Sequence, residues 1–140
     1  MNKFFYCDNS SQAWMLRQEI PDILEENQLP YELVKVRSLS VCKKELEESP
    51  DEYLGLYYEP AEYMLNLDRI PRELLSDILK IKPIILYTTF EPKENSLNYV
   101  GLFKLEEGKH YSHYLCKFQR PIIQNFIESL EKLKEYNKKN

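Results

Sequence analysis

A chain of 140 residues can bury one hydrophobic core without disulfide or metal support, and one domain is expected. With 43% apolar and 30% charged residues it reads as ordinary globular protein, and 3 glycines exclude a Gly-rich phosphate loop or a collagen-like repeat. A net charge of -4 with scattered cations disfavours direct nucleic-acid binding, which needs a clustered basic surface.

The stretch from Met1 to Asp8 lacks the sustained apolar core of a signal peptide. No apolar run approaches the roughly 18 residues of a membrane helix, so no membrane association is expected. Cys7, Cys42 and Cys116 form an odd, widely spaced set without a Cys-x-x-Cys pair, which points to a reducing, cytoplasmic setting.

Taken in order, Lys3 to Cys7 is an aromatic run with strand propensity, and Asp8-Asn9-Ser10-Ser11 is a turn and helix N-cap signal. Ala13, Trp14, Leu16, Arg17 and Ile20 follow at helical spacing until Pro21, which predicts a kink or a new start. Tyr31 to Val36 alternates as a second strand, so the first third predicts a β-α-β unit with parallel pairing. Positions 39 to 80 read as a helical and irregular insertion, with Ser40 capping one helix and Ile70 to Leu79 forming an amphipathic one.

The run from Pro83 to Phe90 is the longest β-branched apolar stretch, with both alternating faces apolar, as in a strand covered on two sides. After a polar connection, Asn98 to Leu105 reads as its antiparallel hairpin partner. Positions 110 to 118 fit helix or strand equally. From Pro121 onward, Ile123, Phe126, Ile127, Leu130 and Leu133 line one face of a C-terminal helix.

Lys3-Phe4-Phe5-Tyr6, the helix start at Ser10-Ser11 and Leu29-Pro30-Tyr31-Glu32-Leu33-Val34 together resemble the opening of a glutathione transferase N-terminal domain. Lys82-Pro83-Ile84-Ile85 stands where that thioredoxin-like fold places a proline before its third strand. The resemblance implies a single α/β domain over 1–140 with a mixed sheet: β-α-β, an insertion at about 39–80, a β-hairpin and a C-terminal helix. It also implies a thiol-dependent or glutathione-using enzyme as one reading, with Cys7 and Ser10 or Ser11 at the positions that serve the glutathione thiolate. Departures are the proline within the first helix and Glu106-Glu107-Gly108 in place of the family's Ser/Asp pair.

Cys7 precedes a helix N-terminus, where unpaired N–H groups favour a thiolate, although Asp8 adjoins it. His110, His113 and Cys116, three apart, would make a row of metal ligands on a helix, with aromatic neighbours that suit packing as well. Tyr53, Tyr57, Tyr58 and Tyr63 lie among Asp51, Glu52, Glu59 and Glu62. Tyrosines in an acidic frame suit docking on a basic protein surface, since aromatic rings anchor and carboxylates steer. The leading expectation is therefore a non-enzymatic protein-binding module of inhibitor, immunity or adaptor type, or a subunit of a larger assembly. It needs no cofactor and binds through Tyr53, Tyr57, Tyr58, Glu59, Glu62 and Tyr63. On that expectation, alanine at Tyr57 and Tyr58 weakens binding without moving the melting temperature.

Overall fold

The computed structural model describes residues 2–8, 14–59, 71–88, 112–116 and 122–139. Among these residues five strands form one sheet: β1 (Lys3–Asp8), β2 (Glu32–Val36), β3 (Tyr53–Glu59), β4 (Ile84–Thr88) and β5 (Ser112–Cys116). Their spatial order is β2-β1-β3-β4-β5, and every neighbouring pair is parallel. The chain first adds β2 on one side of β1, then returns to add β3, β4 and β5 on the other. This is the doubly wound, flavodoxin-like order, whose switch point lies between β1 and β3.

Parallel strands need crossovers, and helices supply them while covering the sheet. The helices are α1 (Trp14–Glu26), α2 (Leu39–Glu48), α3 (Arg72–Leu79) and α4 (Ile122–Lys139), with a 3-10 turn at Pro50–Glu52. On one face, Phe4, Tyr6, Leu54, Tyr57 and Ile85 pack against Ile20 and Leu24 of α1 and Phe126, Leu130 and Leu133 of α4. On the other, Phe5, Cys7, Leu56, Tyr58 and Ile84 pack against Leu39, Cys42 and Leu46 of α2 and Leu75 and Ile78 of α3. Helix α1 runs through Pro21 without ending, because that ring is exposed and costs one main-chain bond on the solvent side. Ser38, two residues before the expected Ser40, caps α2 by accepting the Val41 N–H.

The α/β class holds, and two expectations are corrected among the described residues. The sheet is not mixed among the described residues, because all five strands point the same way; the thioredoxin-like arrangement required an antiparallel hairpin after β4. The hairpin partner expected at 98–105 lies outside the described residues. The insertion expected at about 39–80 is no insertion, since it carries β3, the middle strand of the sheet.

Strand β3 contains a register irregularity. Lys3 pairs with Tyr53 but Phe5 pairs with Leu56, so β3 spends one extra residue across Leu54 and Gly55. The bulge brings the chain entering β4 close, and the Leu56 N–H donates to the Pro83 carbonyl at 3.1 Å. Only glycine fits there: a Cβ on Gly55 would stand 2.6 Å from the Pro83 oxygen and 3.2 Å from Leu133 Cδ2. Gly55→Ala is therefore expected to lower stability by about 1–3 kcal/mol. Urea unfolding checks it, and an unchanged midpoint would show that β4 shifts away freely.

Candidate functional site

The tyrosine segment proposed for docking is the sheet's core. Tyr53, Tyr57, Tyr58 and Glu59 are buried along with every other residue of β3, so they present no surface to a partner. The correction has a physical cause: a central parallel strand covered by helices on both faces buries both alternating sets of side chains. Glu62 and Tyr63 lie outside the described residues.

Each buried phenol of this kind needs a hydrogen-bond partner, and the partners are specific. The Tyr57 hydroxyl lies 2.5 Å from Ser129 Oγ of α4, and Ser129 Oγ donates in turn to the Phe126 carbonyl at 2.6 Å. Tyr53 donates to Glu45 Oε2 of α2 at 3.2 Å, and burial followed by that carboxylate raises its pKa. Tyr6 of β1 donates to Glu59 Oε2 of β3 at 2.5 Å, in the range of hydroxyl–carboxylate bonds.

Glu59 ends its strand, and its ladder partner is Asp8, which ends β1. Two acidic positions thus stand side by side at the carboxyl ends of the two strands flanking the switch point. In open doubly wound sheets, ligands bind in the crevice outside those ends. A pair of neighbouring carboxylate positions there favours cationic groups, and one of the two is anchored by a phenol from the strand beside it. The signal was present in the sequence: Lys3 to Asp8 and Tyr53 to Glu59 are both apolar, aromatic runs that close on an acid.

The thiol candidates fare differently. Cys7 is 1% exposed and Cys42 fully buried, both in the core between the sheet and α2. Burial pushes the Cys42 thiol far up, with Cys7 and Glu45 adding to it, which is the opposite of an activated thiolate. Ser10 and Ser11 lie outside the described residues. His113 and Cys116 belong to strand β5, where positions three apart fall on opposite faces, so the helical row is not formed; His110 lies outside the described residues. Among the described residues no cluster of three or more His, Cys, Asp or Glu could hold a metal ion. No described helix is long and apolar enough to cross a membrane.

Two outcomes follow. Tyr57→Ala is expected to cost about 3–5 kcal/mol of stability, as for other buried aromatic rings, so the chain unfolds at markedly lower denaturant. A melting temperature equal to the unaltered protein's would mean that the ring is not core. Cys7 and Cys42 are expected to react with iodoacetamide near neutral pH far more slowly than a simple thiol, and at its rate only after unfolding. Peptide-resolved mass spectrometry reads this, and fast labelling of Cys7 in the folded state would restore the thiol-enzyme reading. No protein-family model matches the chain, and no curated protein matches its sequence.

Proposed function

We propose that this chain is a non-enzymatic protein-binding module, of adaptor, inhibitor or immunity type or a subunit of a larger assembly. It meets a partner bearing a basic surface at the carboxyl edge of its sheet. The observation that carries the reading is the register pairing of Asp8 with Glu59 where the strand order turns. A partner's lysine or arginine brought to this edge meets the Asp8 position, which the buried Glu59, held by Tyr6, backs from within the sheet, and a net charge of -4 steers such a partner inward. The thiol-enzyme alternative, with or without glutathione, loses its main support through the burial of Cys7.

The test is capture of partners from the host's own extract by the tagged chain, with salt titration, beside an Asp8→Lys variant. One stoichiometric partner that salt releases is expected, with retention about tenfold weaker in the variant, equivalent to ~1.4 kcal/mol. The two proteins should melt at similar temperatures. Equal retention by a folded Asp8→Lys variant would remove the carboxyl edge as the binding site.

A further inference from the structure

A second surface lies at the opposite, amino-terminal end of the strands, between the end of α1 and the start of β2. It is an open groove of about 400 Å³ with Leu24, Leu29, Tyr31 and Leu33 as its apolar lining and Glu25 and Glu32 beside them. Leu24 is buried, while Leu29, Tyr31 and Leu33 are half-buried and continue the core beneath α1 and α4 outward.

Its charged lining residues, Glu25 and Glu32, are both acidic. Asp22, Glu25 and Glu26 are exposed on the last turns of α1, and that last turn carries no basic residue. Carboxylates here face the negative end of the helix, an arrangement that a cation relieves. The helix closes tightly over the groove: Gln28 takes φ 53°, Gln28 N–H donates to the Glu25 carbonyl at 3.1 Å, and Leu29 N–H to the Leu24 carbonyl at 2.9 Å. Burial, with Glu131 of α4 adding to it, raises the Tyr31 phenol's pKa. Among the described residues strand β2 ends the sheet, and its outer edge can accept an added main chain.

The geometry points to this groove as a docking site for a short extended segment of a partner protein, in which apolar side chains alternate with lysine or arginine. The apolar side chains fill the space over Leu24, Leu29 and Leu33, and the cations meet Glu25 and the carbonyl end of α1. This surface is separate from the carboxyl edge, and either can fail without the other.

The test uses the full chain, isotopically labelled, and three blocked peptides of about seven residues, the length of one added strand. One alternates lysine with leucine, one glutamate with leucine, one lysine with serine. The lysine–leucine peptide is expected to shift amide signals of 24–33 and saturate, at least about tenfold more tightly than either counterpart. Glu25→Lys should weaken it about tenfold, whereas Glu47→Lys on α2, on the other face of the sheet, should not. Equal binding of the lysine–serine peptide, shifts centred elsewhere, or no effect of Glu25→Lys would overturn the proposal. So would dimerisation in sedimentation that perturbs the same amides without peptide, since a second copy would then be the occupant.

Discussion

The central strand β3 must satisfy a hard constraint: it is covered on both faces, yet three of its seven residues are tyrosines. Burying a phenol without a partner costs about 1–3 kcal/mol, so each hydroxyl demands a fixed acceptor or donor in the layer it faces. Tyr57 meets Ser129 on α4 and Tyr53 meets Glu45 on α2. Apolar packing alone is non-directional and tolerates sliding of a helix over a sheet. These two bonds, one to each side, tie the layers to a single position. The rings also pack on one another: Phe4 sits edge-on to Tyr57 at 5.2 Å, and Phe5 stacks on Tyr53 at 4.0 Å.

The same strand determines where the acidic edge falls. Side chains along a strand alternate, so inserting one residue exchanges the faces of everything beyond it. Tyr53 and Leu56 pack in the same cluster although they stand three positions apart, because the bulge at Leu54 and Gly55 consumes the odd one. Without it, Glu59 would project to the α2 and α3 side, away from the Tyr6 hydroxyl. The site geometry at the carboxyl end thus depends on a glycine near the amino end, and Gly55 is held there by the close approach of the Pro83 carbonyl.

Much of the fold was legible from local pattern. β1, β2, β4, α3 and α4 follow from apolar periodicity, Pro71 and the Ser/Asp turn signals, and they appear within a residue or two of where these place them. β3 was not legible, because tyrosine beside acids has the composition of a surface and a strand buried on both faces shows no polar alternation. The topology was not legible either. An opening β-α-β unit is common to thioredoxin-like and doubly wound sheets, and the choice rests on the direction of strands far apart in sequence. Register is equally non-local, so no local pattern marks Asp8 and Glu59 as neighbours.

The two ends of the sheet are built differently, and this bears on where binding can occur. At the amino ends of β3 and β4, Asn137 near the end of α4 donates to the Leu54 and Leu133 carbonyls at 2.9 and 2.7 Å. Its Oδ1 accepts from Lys82 Nζ at 2.6 Å, and burial lowers the pKa of that ammonium while Asp51 opposes the change. Polar groups there are spent on joining α4 to the sheet, which fixes the strands along their length. A rigid base of this kind is what allows residues at the opposite ends to hold position for a ligand, since sites carried on strands are more precise than sites on loops. The acids at 8 and 59 close strands that are braced from behind, so their separation is a property of the sheet and not of the segments that follow.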